Sequence, residues 1–259
     1  MTLTRTIKTA VRRFINWNKS LCNGLEWRLP RAFTRSLFHL HELTAAEAML
    51  ERDGQTVVDV GGGQFCALSQ YRDPESGTTI IAIDILLEQI AWNRSVDFGI
   101  VADVGRSIPL RDSSVDLIVT RSVLEHLEDN RSFFDECRRV LRQGGKSIHV
   151  FPGRFAPFAL VNQLIPHSWA ERFLDAFIRE SRGHSGFPAH YHDCYDRAMR
   201  RRNLSAGLVP VTLHYRYYQA VYVKFFVPFY LMMVAYDLLL YCFDVRPLAA
   251  QILLVAEKQ

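Results

Sequence analysis

Residues 57–65, which read Val-Val-Asp-Val-Gly-Gly-Gly-Gln-Phe, constrain the fold of this chain more than any other stretch. The apolar residues predict a buried strand, and the three glycines predict a tight turn directly after it. Glycine has no Cβ and adopts positive φ without steric cost, so a ligand can come close to the backbone there. Asp59 adds one carboxylate just before the turn. By itself, this pattern is shared by many nucleotide-binding sheets and some ordinary loops.

Further apolar runs follow at regular intervals and alternate with segments of helical periodicity. Strands are predicted at 56–60, 79–84, 99–103, 115–120, 145–151, 211–219 and 249–257. Helices are predicted at 66–72, 86–94, 129–142 and 193–203, with Gly144-Gly145 as the stop signal of the third. Alternation of strand and helix at this spacing indicates an α/β fold, in which helices cover both faces of a parallel sheet. The chain of 259 residues fits one such domain with a small accessory element.

Carboxylates end three successive predicted strands, where open parallel sheets bind their ligands. They are Asp59, Asp84 and Asp103. Asp84 follows Gly61 by 23 residues, a distance at which a carboxylate can hydrogen-bond a ribose diol. This part also fits an NAD-dependent oxidoreductase, but the third glycine of the G-x-G-x-x-G fingerprint would fall at Cys66. That alternative also leaves Asp103 without a role.

Several motifs in this order resemble the class I S-adenosylmethionine-dependent methyltransferases, in particular the branch that methylates small molecules, lipids and quinones. They are Asp59-Val60-Gly61-Gly62-Gly63, Asp84, Ala102-Asp103-Val104, Ile108-Pro109-Leu110, Val115-Asp116-Leu117-Ile118, Val123-Leu124-Glu125-His126 and Val140-Leu141-Arg142-Gln143-Gly144-Gly145. The resemblance covers roughly residues 55–151. It implies a Rossmann-like, mostly parallel seven-stranded sheet in the order 3-2-1-4-5-7-6, with an antiparallel last strand. A lid insertion would follow strand 5, and a hydrophobic helical insertion would separate strands 6 and 7.

The resemblance also implies how S-adenosylmethionine would be held. Gly61 and Gly63, beside Asp59, would let the backbone approach the methionine part of the cofactor. Asp84 would bind the ribose hydroxyls. Phe65 departs from the family pattern, because many members carry another glycine at this place.

The adenine end would be held by the residues that follow strands 2 and 3. Ile85 or Leu86 would lie against the face of the ring. Asp103 would accept a hydrogen bond from the adenine amino group, beside the backbone N–H of Val104.

Methyl transfer needs little covalent chemistry from the protein, which mainly aligns the nucleophile with the methyl carbon and sulfur and excludes water. An oxygen nucleophile of high pKa also needs a base. We predict His126, His190 and His192 as the catalytic residues. His126, just past the fourth strand, has an alternative role as a structural partner of the following helix.

Residues 152–192 are predicted as a substrate lid, in which His184 and Tyr191 would contact the acceptor. The alternative is a Pro- and Gly-containing turn with surface histidines. The histidines and Cys194 also raise the question of zinc. Their spacing, His-x5-His-x-His-x-Cys, matches no common zinc site, so no metal is predicted.

Residues 1–54 are predicted as a basic amphipathic helical arm, and 55–259 as the methyltransferase domain. The first 35 residues carry eight Lys and Arg but one acidic residue, Glu26. Apolar residues recur at three- and four-residue steps from Leu3 to Leu25, which places them on one helix face. A basic helix with an aromatic apolar side fits an anionic membrane surface, and packing on the domain is the alternative.

Residues 220–245 are predicted as a hydrophobic insert within a stretch, 215–243, that contains eleven aromatic residues. A single membrane crossing is excluded if the strands before and after it pair in one sheet. A helix lying in one leaflet, a subunit interface in a homo-oligomer, and a lid over the substrate remain open. The five cysteines are scattered and lack CxxC spacing, which predicts a reducing, cytoplasmic compartment. The basic arm and the hydrophobic insert together predict peripheral attachment to the inner face of the membrane.

The sequence therefore predicts an S-adenosylmethionine-dependent methyltransferase that methylates an oxygen of a hydrophobic, membrane-presented or lipid-linked acceptor. The alternatives are the NAD-dependent oxidoreductase and a non-catalytic, membrane-associated subunit that binds the cofactor. Nucleic acid is disfavoured as a partner, because no Asn/Asp-Pro-Pro-aromatic motif follows the fourth strand.

Overall fold

The computed structural model describes residues 2–164 and 188–259, which form a single sheet with helices packed around it. The strands are β1 (Thr56–Val60), β2 (Thr79–Asp84), β3 (Phe98–Val101), β4 (Val115–Arg121), β5 (Leu141–Pro152), β6 (Leu208–Arg216) and β7 (Gln251–Lys258). Their order in the seven-stranded sheet is β3-β2-β1-β4-β5-β7-β6. Strands β1 to β5 run parallel, and β7 is antiparallel to both β5 and β6. The predicted fold class and strand order are confirmed.

The α-helices are α1 (Thr2–Glu26), α2 (Arg31–Thr34), α3 (Leu37–Leu50), α4 (Leu87–Trp92), α5 (Asn130–Val140), α6 (Pro157–Leu164), α7 (Asp196–Ala206) and α8 (Val227–Cys242). Polar side chains begin two of them. Ser36 accepts a hydrogen bond from the Phe38 N–H at the start of α3, and Asp129 accepts one from Arg131 at the start of α5. Gly207, at φ +80°, ends α7 in the left-handed conformation common at helix C-termini.

Strands β1 and β2 have the predicted bounds, whereas the other predicted strands and helices differ by one to four residues at one or both ends. Strands β3 and β6 begin one and three residues earlier than predicted. The helix predicted at 66–72 is a short 3-10 turn, Ala67–Tyr71, in which the Ser69 hydroxyl donates a hydrogen bond to the Cys66 carbonyl. A side chain that takes a carbonyl in this way competes with helical pairing.

Gly144 and Gly145 lie inside β5 instead of ending a helix. The preceding helix, α5, already ends at Val140 because Leu141 pairs with β4. The pairing register between β4 and β5 then shifts, and Gly144 adopts φ +74°. Between the pairs Val115–Leu141 and Leu117–Lys146, β5 has three more residues than β4, which form an enlarged β-bulge that turns at the left-handed glycine.

Two apolar cores lie on opposite faces of the sheet, because successive residues of a strand point to opposite sides. On one face, Val58 and Ile118 pack in a cluster with Phe133 and Phe134 of α5. On the other, the cluster includes Val57, Leu117 and Val119 of the sheet with Ala45 and Met49 of α3. The segment predicted as an arm, 1–54, thus contains one helix, α3, that packs onto the sheet itself.

The predicted hydrophobic insert contains a 3-10 turn, Ala220–Val223, and helix α8. It leaves β6 and returns to β7, which pair side by side, so both of its ends lie at one edge of the structure. The buried carboxylate of Asp237 accepts hydrogen bonds from the N–H groups of Gln219 and Ala220 and fixes α8 to the turn. No helix within the described ranges has the length and apolar character needed to cross a membrane.

Candidate active site

The glycine turn after β1 requires glycine for two separate reasons. Gly61 adopts φ +71° and donates its N–H to the Ile83 carbonyl at 2.7 Å. A Cβ on Gly61 would lie 2.5 Å from Cγ2 of Val123, which follows β4. Gly63 also has positive φ, +51°. Glycine at 61 is therefore required both by the backbone conformation and by the packing of Val123, and close approach of a ligand to this turn stays a prediction.

Asp84 connects the end of β2 to this turn. One carboxylate oxygen accepts a hydrogen bond from the Gly63 N–H at 3.2 Å, and the other accepts from Leu86 at 3.0 Å. Asn93 supports the turn from the same side, because its amide donates to the Gly63 carbonyl at 2.9 Å. The side chain is half-buried, and each carboxylate oxygen keeps a second lone pair for a ligand hydroxyl.

The residues predicted to hold the adenine lie beside these at the ends of β2 and β3. Asp103 accepts from the Gly105 N–H at 3.0 Å and contacts Arg106 at 3.3 Å, with 44% of its side chain exposed. Val104 is buried, whereas Ile85 is half exposed at the surface. The turn, Asp84 and Asp103 thus follow β1, β2 and β3, which are neighbours in the sheet.

A cavity of about 550 Å³ opens over the glycine turn. Its walls come from the turn, from α3 and from the end of β4, and they include Asp59, Gly61, Gly62, Gly63, Phe65, Phe38, His41, Arg121 and Ser122. Burial raises the pKa of Asp59 to about 6, although a hydrogen bond with the Cys66 thiol lowers it. Phe65, which replaces the glycine of the family pattern, is exposed at the cavity wall.

Arg121 is a cavity residue that the sequence analysis did not single out. It is the last residue of β4, and its guanidinium lies over the ring of Phe38 of α3, 4.5 Å from the centroid. A cation held in this way can bind a ligand carboxylate with two hydrogen bonds. The available signal was its position at the carboxyl end of a central strand.

Residues 58–149 match the family model described as "Methyltransferase domain". They are a class I S-adenosylmethionine-dependent methyltransferase domain. This domain contains the glycine turn, Asp84 and Asp103, and the remaining strands complete the seven-stranded sheet of its fold.

Curated relatives and solved structures agree with this assignment of the methyltransferase domain. A probable S-adenosylmethionine-dependent methyltransferase of Mycolicibacterium smegmatis is 48% identical over 128 residues, which cover 46% of this chain and 48% of that protein. A malonyl-[acyl-carrier protein] O-methyltransferase of Hahella chejuensis is 29% identical over 106 residues, 38% of each chain. The chain thus spans half or less of the length of these curated relatives.

The fold also matches a solved structure of geranyl diphosphate C-methyltransferase from Streptomyces coelicolor. The TM-score is 0.57 at 14% identity, over 86% of this chain and 81% of that one. That protein was solved with Mg²⁺, geranyl diphosphate and S-adenosyl-L-homocysteine.

S-adenosylmethionine is the cofactor of the methyltransferase domain, and the residues present fit it. Gly63 lines the cavity without a side chain, and a Cβ there would meet no atom closer than Oε1 of Gln89, at 3.7 Å. Arg121 offers a cation to the carboxylate of its methionine part, and Asp84 offers acceptors to its ribose. Cys66 is buried at the place where an NAD-binding fingerprint would need glycine.

Glu125, just beyond β4, is a buried carboxyl that the sequence analysis did not single out as a site residue. It is 5% exposed, and its Oε2 has no hydrogen-bond partner in the part of the chain that the structure describes. Burial raises the pKa of Glu125 to about 7, although hydrogen bonds from its own N–H and from Ser122 lower it. Ser122 also lines the cavity, so it connects this carboxyl to the cofactor side of the methyltransferase domain.

Backbone strain flanks Glu125 on both sides. Ser122 and Tyr191 have φ of +56° and +53°, a region that side-chain-bearing residues rarely adopt. The Glu125 carbonyl accepts from the N–H groups of His190 and Tyr191, at 2.7 and 3.1 Å. Strained residues persist only where surrounding contacts hold them, and they cluster at functional sites.

The predicted acceptor-side residues come together around Glu125. Tyr191 is buried and its hydroxyl accepts from Asn162 of α6 at 3.2 Å. The rings of His190 and His192 stack, with centroids 5.5 Å apart. His126 lies beside them, and its Nδ1 donates to the Pro188 carbonyl at 3.1 Å.

Part of the predicted lid cannot be placed. His184 lies outside the described residues, as do positions 165–187 of the segment predicted at 152–192. Among the described residues, no three His, Cys, Asp or Glu side chains are grouped as metal ligands.

Proposed function

We propose that the protein transfers a methyl group from S-adenosylmethionine to a hydroxyl oxygen of a hydrophobic acceptor, either a small molecule or a lipid-linked group. The observation that carries this proposal is the buried Glu125 carboxyl, whose Oε2 is unpaired among the described residues. Burying a carboxyl without a partner costs free energy, so a structure that does so calls for a functional reason.

The cofactor end would be held by residues of the glycine turn and the three neighbouring strand ends. The backbone of Gly61 and Gly63 would lie against the methionine part, whose carboxylate would pair with Arg121. Asp84 would accept from the ribose hydroxyls, and Asp103 from the adenine amino group, beside the Val104 N–H. When bound, S-adenosylmethionine supplies an activated methyl group on a sulfonium.

Glu125 would act as the general base for the acceptor hydroxyl. Its pKa of about 7 makes the carboxylate a stronger base than an exposed Glu while it is still largely ionised in mildly alkaline solution. Oε2 would receive the proton, and the hydrogen bond from Ser122 would hold the carboxyl in place. Tyr191 and the apolar residues around it would exclude water from the acceptor.

The three histidines remain predictions as catalytic residues. Two hydrogen bonds join the segment that contains Glu125 and His126 to the segment that contains His190 and His192. They run from the N–H groups of residues 190 and 191 to the Glu125 carbonyl. In the present proposal the three histidines position the acceptor, together with Tyr191. Replacement of each histidine by Gln separates this role from that of a base, because only a base changes the pH profile of kcat/KM.

Cofactor binding is tested by calorimetric titration with S-adenosylmethionine and, separately, NADH. We expect micromolar binding of the first and none of the second. Asp84→Ala removes an acceptor of charged hydrogen bonds worth about 1.5–3 kcal/mol each, so affinity should fall at least roughly tenfold. Binding of NADH alone would restore the oxidoreductase alternative, and binding without turnover on any acceptor would support the non-catalytic one.

Methyl transfer is tested with tritiated cofactor and hydrophobic hydroxyl and carboxyl acceptors, followed by organic extraction. Glu125→Gln should lower kcat/KM by about 10²–10⁴ and leave the affinity for S-adenosylmethionine unchanged. The wild-type rate should rise with pH to a plateau above about 7, because the base must lose its proton. Glu128→Gln, an exposed carboxyl three residues along, is the matched control. An unchanged profile in Glu125→Gln would exclude Glu125 as the base.

A further inference from the structure

Helix α1 presents an apolar stripe to solvent. Ile7, Val11, Phe14, Trp17 and Leu21 recur at three- and four-residue steps and are all exposed, Trp17 to 61%. The apolar side predicted from the sequence is therefore not covered by the domain over most of its length. Exposed apolar area of this extent marks a surface that binds a partner or a membrane.

The stripe continues onto the hydrophobic insert. Phe14 contacts Phe226, with ring centroids 6.5 Å apart, and both side chains remain about half exposed. From there, Phe225 precedes α8, whose Leu231 and Met232 are also exposed. We call this combined area of α1 and α8 the apolar surface.

Cations accompany the apolar surface along α1. Arg13 lies one turn before Trp17, at one edge of the stripe, whereas Arg12 and Lys19 project from the polar side of the helix, near Ile15. All three cations are exposed, and none forms an ion pair with another described residue. Arg28, Arg31 and Arg35 add exposed positive charge just after the helix.

Helix α1 is fixed to the domain by its second half, so the apolar surface is presented by a rigid support. Asn18 is buried and accepts from the Val227 N–H at 3.0 Å, at the start of α8. Cys22 is buried in the cluster with Tyr218 and Tyr230.

We propose that the apolar surface docks on an anionic lipid bilayer, with the stripe in the acyl boundary, Arg13 at the headgroups beside it, and the other basic residues of α1 and of the segment after it adding attraction to the anionic surface. Amphipathic helices with aromatic and basic residues in this arrangement bind membranes by both forces together. A second copy of the chain fits less well. In a two-fold dimer, each residue meets the same surface on its partner, which brings equal positive charges together.

The docked orientation brings the acceptor side of the site to the membrane. Phe158 of α6 contacts Tyr222 of the insert, with centroids 4.8 Å apart, and Asn162 of α6 donates to Tyr191. Tyr222 lies three residues before Phe225 of the apolar surface. This link to a membrane-presented acceptor rests on the proposed function, whereas docking itself does not.

The test is flotation of the full chain with vesicles of phosphatidylcholine alone or with about a third phosphatidylglycerol, without cofactor or acceptor. We expect binding to the anionic vesicles, reduced at least tenfold by Trp17→Ser and by the double variant Arg12→Glu/Arg13→Glu. Trp92→Ser, at a side chain 70% exposed on α4, and Arg111→Glu/Arg197→Glu are the matched controls and should bind normally.

Three results would overturn the proposal. The first is that the wild type does not bind anionic vesicles at low salt, and the second is that the control variants lose as much vesicle binding as the test variants. The third is that light scattering shows a dimer that Trp17→Ser dissociates, while neither the dimer nor the monomer binds vesicles. Circular dichroism of each variant shows whether the fold is kept. Because no turnover is measured, failure of docking and failure of methyl transfer are separate outcomes.

Discussion

Replacement of Gly61 by Ala tests whether the shape of the glycine turn, and not only the nearby carboxylates, defines the cofactor end. An alanine at φ +71° costs roughly 1–2 kcal/mol relative to glycine. Its Cβ would lie 2.5 Å from Cγ2 of Val123, and relief of such an overlap costs about 1–3 kcal/mol. Together, the free energy of unfolding should fall by about 2–5 kcal/mol, a large part of the stability of a typical domain.

Urea denaturation of Gly61→Ala, Val123→Ala and the double variant separates the two costs. Val123→Ala removes the overlapping atom but leaves the backbone strain, so the double variant should be more stable than the sum of the single effects by about 1–3 kcal/mol. S-adenosylmethionine affinity should fall in Gly61→Ala and recover in part in the double variant. Effects that add within about 0.5 kcal/mol would refute the overlap, and wild-type stability of Gly61→Ala would refute the whole argument.

Two further predictions concern stability. Burial raises the pKa of Asp237 to about 6, against 3.8 for an ordinary Asp, although the N–H groups of Gln219 and Ala220 lower it. Between these two pKa values the folded chain binds more protons than the unfolded chain, so this group makes the free energy of unfolding fall as pH rises. Asp237→Asn should remove this pH dependence, which amounts to at most about 3 kcal/mol. Urea midpoints of the wild type and the variant that run parallel from pH 4 to 7 would contradict the prediction. The Arg139 guanidinium donates hydrogen bonds to the carbonyls of Ile108 and Leu110 and to the Glu136 carboxylate. Arg139→Lys cannot span them and should cost about 1–3 kcal/mol in thermal unfolding, whereas an equal loss in the neighbouring Arg138→Lys would show a general effect of the helix surface.

Local sequence signals were sufficient where a strand is bounded by turn residues on both sides. Strands β1 and β2 are apolar runs that end at glycine or aspartate, and both have the predicted bounds. The segment 66–72 failed because the Ser69 hydroxyl competes for a helical carbonyl, an interaction that periodicity does not contain. The sequence predicts Gly144 as a helix stop, whereas its positive φ belongs to a bulge in β5 that depends on the pairing with β4.

The candidate site divides in the same way. The candidate cofactor residues could be named from the resemblance, and the structure places Gly61, Asp84 and Asp103 after neighbouring strands. Their contact with the cofactor stays a prediction. Glu125 could not be named in this way, because its ordinary pKa is too low for a base near neutral pH and only burial raises it. The effect of a residue's environment on its chemistry is a property of the tertiary structure.

The hydrogen-bonded pair Arg216–Gln251, at the ends of β6 and β7, has a consequence for how such proteins diversify. Residues 217–250 leave the sheet and return to it at this one point, so their length and sequence can change without a shift of strand register. The glycine turn, Asp84 and Asp103 follow strands on the other side of the sheet. Evolution can therefore alter the surface that we propose to meet the membrane while the proposed cofactor end stays constant.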